Sequence, residues 1–131
     1  MKNVALILIS FTLVFASCET EEGKGGTSTI RGTVTVWEYN KDLTIKLGEY
    51  SAQEVDVYII YGDDPIYGDR FRTGYDGKYE FNYLQEGNYT IYALSKDTTN
   101  FATNELIPVF KEVSISGKNK TIEVPEIIII D

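Results

Sequence analysis

The chain has 131 residues with 12 basic and 20 acidic side chains, a net charge of −8, one cysteine and no histidine. That length suits one domain with one core, and a lone cysteine permits no intrachain disulfide. The acid excess argues against a nucleic-acid partner, which needs clustered Lys and Arg to displace counterions, and the lack of histidine excludes Ser-His-Asp and Cys-His nucleophiles, histidine general bases and His-ligated zinc.

Met1-Lys2-Asn3 carries one positive charge and leads into Val4 to Ala16, a mainly apolar run. A membrane-spanning helix needs about 20 such residues, so the run is too short to be one. Residues 1–17 read as a signal peptide. The sequence Phe15-Ala16-Ser17-Cys18 resembles the lipobox of bacterial lipoproteins, with Phe15 where leucine is commoner. The resemblance implies cleavage before Cys18, acylation of its thiol and a lipid anchor in the cell envelope. Glu19-Thr20-Glu21-Glu22 resembles the signal that carries Bacteroidetes lipoproteins to the outer face of the outer membrane; a solvated charge run is the plainer reading. Glu19 to Ser28 contains no apolar residue. Residues 18–28 therefore read as a lipidated cysteine and flexible acidic, Gly-rich tether, whose ten polar residues reach roughly 17 Å.

From Thr29 the pattern changes to short β-branched and aromatic segments separated by Gly, Asn and Asp, with no helical period. Thr29 to Trp37 alternates with period two and places Ile30, Gly32, Val34 and Val36 on one face. Glu38 to Gln53 is either a long loop or an extra edge hairpin. Glu54 to Tyr61 alternates Val55, Val57, Ile59 and Tyr61 against a mixed face. Tyr67 to Tyr75 is a third strand, joined by the hairpin signal Asp76-Gly77 to Lys78 to Leu84. Tyr89 to Leu94, Ile107 to Ile115 and Lys120 to Ile130 complete seven strands. The expected fold of residues 29–131 is an all-β, antiparallel-rich β-sandwich.

Gly74 to Ala93, with Asp76-Gly77-Lys78-Tyr79-Glu80-Phe81 followed by Leu84, Gly87, Tyr89 and Ala93, resembles the carboxypeptidase regulatory-like domains, although one residue is missing between Asp76 and Gly77. The resemblance covers about residues 29 to 124 and implies a transthyretin-like (prealbumin-like) sandwich. Chemistry known in related families lacks its residues here. The isopeptide-forming domains need a glutamate where this chain has Ala93, and the hydroxyisourate hydrolases need histidines.

No convergent acid-base pair is visible, so the chain reads as a noncatalytic binding or assembly module without a cofactor. Asp63, Asp64 and Asp69 carry the oxygen donors calcium prefers but not the spacing of a calcium loop; a solvated acidic loop is the plainer reading. Ten tyrosines, six phenylalanines and Trp37 are a heavy aromatic load. Trp37, Tyr61, Tyr67 and Tyr92 lie on the polar face or near strand ends, where rings stack on sugars or anchor a protein interface. The partner is therefore a protein or a glycan, the latter as expected of an accessory to polysaccharide uptake. Asp97-Thr98-Thr99 resembles the short pattern O-glycosylated in Bacteroidetes envelope proteins, with Thr98 as acceptor. Four consecutive isoleucines after Pro125 read as a buried last strand, with a bend or bulge at the proline.

Overall fold

The computed structural model describes residues 21–99 and 105–131. The expected signal peptide, Cys18 and the first tether residues lie outside them. All regular structure in the described residues is strand: β1 Lys24–Tyr39, β2 Lys46–Ser51, β3 Asp56–Tyr61, β4 Asp69–Arg72, β5 Lys78–Leu84, β6 Gly87–Lys96, β7 Leu106–Ile115, β8 Thr121–Glu123 and β9 Ile127–Ile130.

Two sheets form a sandwich. In the first, β1 is the spine: β5 and β2 pair antiparallel with successive stretches of it, and β8 and β9 pair with it in parallel. The second runs β4-β3-β6-β7 and is antiparallel throughout. Alternate residues turn inward, as the period-two pattern requires. Ile30, Val34, Val36, Tyr79, Phe81, Ile127 and Ile129 of the first sheet meet Val57, Ile59, Tyr89, Ile91, Ala93, Val113 and Ile115 of the second. Each such Val, Ile or aromatic side chain contributes about 1.5–3 kcal/mol on burial.

The described residues form nine strands where the alternation predicts seven. The ambiguous segment Glu38 to Gln53 supplies one, since β2 folds back on β1 as an edge hairpin. The other arises because the last segment is divided. Pro125 has no N–H to donate, so the ladder along β1 breaks between β8 and β9. The chain nonetheless stays against β1, because the Val124 N–H donates to the Arg31 carbonyl at 2.9 Å. The isoleucine strand is then half-buried in the ordinary way, with Ile127 and Ile129 inward, and the Ile130 N–H donates to Ser95 Oγ at 2.8 Å.

Asp76-Gly77 turns the chain as its composition predicts, with Gly77 at φ 75° and its N–H donating to the Gly74 carbonyl at 3.0 Å. It does not close a hairpin. β4 and β5 belong to different sheets, so the turn is a crossover between layers. The third strand is also shorter than expected, four residues from Asp69 to Arg72. Within β5, Phe81 and Leu84 are both buried despite odd spacing. Tyr83, at φ 58°, takes up the extra residue, and the register against β1 shifts between Ser28 and Ile30, as in a β-bulge.

The largest correction concerns the tether. Residues 24–28 are the start of β1, and Ser28 is buried. Hydrogen bonds rather than apolar side chains make this docking. The Gly23 N–H donates to the Tyr89 hydroxyl at 2.9 Å, and the Gln85 N–H donates to the Gly23 carbonyl at 2.8 Å. Gly26 approaches β5 so closely that a Cβ there would sit 2.1 Å from the Leu84 carbonyl oxygen, a contact open only to glycine.

Candidate binding face

The register of the second sheet sets four outward side chains in one line: Arg70 opposite Tyr58, Tyr58 opposite Tyr92, and Tyr92 opposite Phe110. Their direction follows from the alternation. Val57 and Ile59 flank Tyr58 and point into the core, and Ile91 and Ala93 do the same beside Tyr92. The rings of Tyr58 and Tyr92 lie 4.9 Å apart and 17° from parallel. This is the spacing of adjacent strands, so the two rings stand off the sheet side by side. Phe110 meets Tyr92 at 5.5 Å and 64°. Tyr67, from the loop between β3 and β4, leans on Tyr58 at 4.7 Å and 55°.

The result is an unbroken row of four aromatic rings across the face. Phe110 is 55% exposed, and Leu94 and Leu106 extend the apolar surface beside it. At the opposite edge Arg70 and Arg72 share Asp56, at 3.9 and 3.2 Å. Glu54 acts on Arg72 as well, so two guanidiniums and two carboxylates meet at that edge. The Tyr92 hydroxyl is held above the ordinary phenol range by burial first, then by the phenols of Tyr58 and Tyr67.

Chemically the row offers a pre-ordered contact surface. Tyr, Phe and Arg are the types enriched where proteins meet. Rings already packed on one another have little side-chain freedom left to lose on binding. Because Tyr58 and Tyr92 cover each other's faces, they present edges and hydroxyls outward. A free ring face, the element a sugar stacks on, remains at the ends of the row.

Of the aromatics singled out from the sequence, the structure brings Tyr67 and Tyr92 together and separates the other two. Trp37 points outward from the first sheet, on the opposite side of the sandwich. Its ring is capped by Lys46, whose Nζ sits 3.8 Å from the centroid, a cation–π contact that occupies the face a ligand would use. Tyr61 is half-buried edge-on against Tyr89 at 5.9 Å, beneath the docked amino-terminal segment. Tyr58 and Phe110 are the members that sequence reasoning missed.

The acidic candidates do not converge. Asp69 is paired with Lys24 at 3.1 Å, while Asp63 and Asp64 are exposed in the turn after β3. Among the described residues no group of three or more such side chains could hold a metal ion. Thr98 is exposed, beside an Asp97 carboxylate that accepts from the Thr99 N–H at 2.8 Å and its hydroxyl at 2.6 Å. A cleft of about 630 Å³ lies away from the row, lined by Arg31, Phe71, Lys78, Glu80 and Glu123 among others. Its charges are balanced, and Arg31 is already paired with Glu123.

The tyrosines give the fold a pH signature. Burial raises the hydroxyls of Tyr61, Tyr79, Tyr89 and Tyr92 above their ordinary value of 10.0. Above that pH the unfolded chain loses phenol protons that the folded chain keeps, and stability falls with pH wherever the unfolded state binds fewer protons. The contribution is whole below about pH 10 and is lost as pH rises through the raised values. Urea midpoints are expected to be lower at pH 11 than at pH 9; equal midpoints would contradict the burial of these hydroxyls.

No family model and no curated protein matches the chain. Among solved structures it is similar to a Pseudomonas aeruginosa protein described as a "putative carbohydrate binding protein", at 14% identity over 84% of this chain and 92% of that chain, with a TM-score of 0.49.

Proposed function

We propose that the chain is a lipoprotein of the cell envelope, anchored through Cys18 at the outer face of the outer membrane, and that it is a noncatalytic binding module whose contact face is the row Tyr67, Tyr58, Tyr92 and Phe110. The carrying observation is the row itself: four rings in contact, aligned by strand register on one face and flanked by Arg70 and Arg72. An exposed apolar face of this kind is costly on a soluble surface unless something covers it. Protein is the favoured partner, because the two central rings offer hydroxyls and edges rather than open faces. The resemblance of Gly74 to Ala93 to carboxypeptidase regulatory-like domains fits a module that binds rather than catalyses.

The alternative partner is a glycan, for which Phe110, 55% exposed, is the free ring face. Photo-crosslinking from Glu112, on the same face, and a glycan array separate the two. Truncating a central interface ring typically costs about 2 kcal/mol or more, so Tyr92→Ala and Phe110→Ala should each weaken partner binding about thirtyfold. Trp37→Ala, on the other sheet, should leave it unchanged. A glycan captured by the native chain and lost in the first two variants would overturn the protein reading; equal losses in all three would remove the row from the site. Fatty-acid labelling tests the anchor, with Cys18→Ser as the unlabelled control.

A further inference from the structure

The docked amino-terminal segment fixes more than the fold. Glu22 lies against Gly62 and Gly87, and the Asn88 N–H donates to its Oε1 at 3.4 Å. Gly23 is tied to Tyr89 and Gln85, and Lys24 is paired with Asp69. Thr27 Oγ1 accepts from the Asn119 N–H at 2.9 Å, and Ser28 Oγ accepts from the Lys120 N–H at 3.1 Å. The chain is therefore held to the sandwich from Glu22 onward. Cys18 stands four residues earlier, and four residues span at most about 14 Å when fully extended.

The attachment point lies at one end of the sandwich. The starts of β1, β4, β6 and β8 meet the ends of β3, β5 and β7 there. At that end Asp63 and Asp64 are exposed, as are Lys24, Lys118 and Lys120. Such hydrated charges of either sign do not enter a bilayer. The loop at residues 40–45 lies at the other end, past the last residues of β1. The aromatic row runs across the strands, five residues along β6 from Gly87, which places it about 17 Å up from the attachment end.

Resting on the anchor reading above, we infer that the acylated domain stands end-on at the membrane, within the reach of four residues, and turns its aromatic row sideways. The occupant of that face is then a second protein held in the same membrane, meeting the row in the plane of the bilayer. A long flexible tether would let the domain swing and sample partners in solution; the docked segment removes that freedom.

Cys18 is the chain's one cysteine, and acylation consumes its thiol, so an introduced cysteine is the single labelling site. Asp64→Cys, Glu112→Cys and Lys41→Cys, each exposed, report the near end, the aromatic face and the far end. Energy transfer from a fluorophore at each site to acceptor-labelled lipid headgroups, with the acylated chain in phosphatidylethanolamine and phosphatidylglycerol vesicles, should be several-fold stronger at Asp64 than at Lys41 and intermediate at Glu112. A Gly-Ser insertion of about ten residues after Thr20 should level the three values. Equal transfer at the three sites without the insertion, or transfer at Glu112 matching Asp64, overturns the end-on arrangement in an acylated chain. A chain that mass spectrometry shows to lack acyl groups overturns the anchor reading and this inference with it. In cells, the Glu112 photo-adduct should require detergent for extraction once the lipoprotein's own anchor is cleaved from it; a freely soluble adduct places the partner outside the membrane.

Discussion

Tyr89→Ala is expected to lower folding stability by about 3–5 kcal/mol, the range for truncating a fully buried aromatic. Tyr89 is 2% exposed and packs edge-on against Tyr61 at 5.9 Å. Its hydroxyl is a clamp as well as a filler. It accepts from the Gly23 N–H at 2.9 Å and donates to the Gln85 carbonyl at 2.6 Å. Tyr89→Phe isolates the clamp, because the ring stays and only these bonds go. Leaving a buried donor unsatisfied costs about 1–3 kcal/mol, and the loss should fall on the docked segment. Amide exchange at Gly23 and Gln85 should speed up in Tyr89→Phe more than at Ile91, in the middle of the same strand. Unchanged urea midpoints and unchanged exchange at Gly23 would show that the segment is held by something other than this hydroxyl. The same variant should also weaken the end-on stance, since a released segment restores the slack of a tether.

The alternation of apolar residues made the core legible. Ile30, Val34, Val57, Ile59, Tyr79, Phe81, Tyr89, Ile91 and Ala93 all point inward as period two requires, and all are buried. The docked tether was hidden for the opposite reason. Residues 22 to 28 bring no apolar side chain to the fold, and composition does not register backbone hydrogen bonds made by glycine. Asp76-Gly77 shows the limit of local signals. Its turn geometry is written in two residues, but whether the turn joins paired strands or crosses between sheets depends on contacts with β1, where the Val34 N–H donates to the Gly77 carbonyl at 2.8 Å.

The candidate face was half legible. Parity placed Tyr92 outward, and parity alone also places Tyr58 and Phe110 outward, yet nothing local says that three strands align those positions in one line. Trp37 illustrates the converse. Its outward parity is correct, but the hairpin to β2 brings Lys46 over its ring, and the closing of the sandwich sets it on the far side from Tyr92.

Tyr79→Phe, in contrast, is expected to raise stability by about 1–3 kcal/mol, the cost of a buried polar group left without a partner. Tyr79 is 1% exposed, and among the described residues its hydroxyl has no hydrogen-bond partner. Burial, and secondarily the charge of Glu123, raises the pKa of that hydroxyl, so it remains a neutral donor without an acceptor. The hydroxyl is housed by Gly32, opposite it on β1; a Cβ there would lie 2.5 Å from Tyr79 Oη and 2.8 Å from Cζ. Gly32→Ala should therefore destabilise the native chain. In the Tyr79→Phe background the oxygen is gone but the ring carbon still crowds the new methyl, so the cost of Gly32→Ala should shrink without vanishing. Thermal unfolding of the four combinations measures that coupling directly. A domain of this size shifts by roughly 4 °C or more per kcal/mol, so Tyr79→Phe should melt clearly above the native chain. A lower melting temperature would mean that the hydroxyl has an acceptor in solution, and additive effects would mean that Gly32 and Tyr79 do not meet.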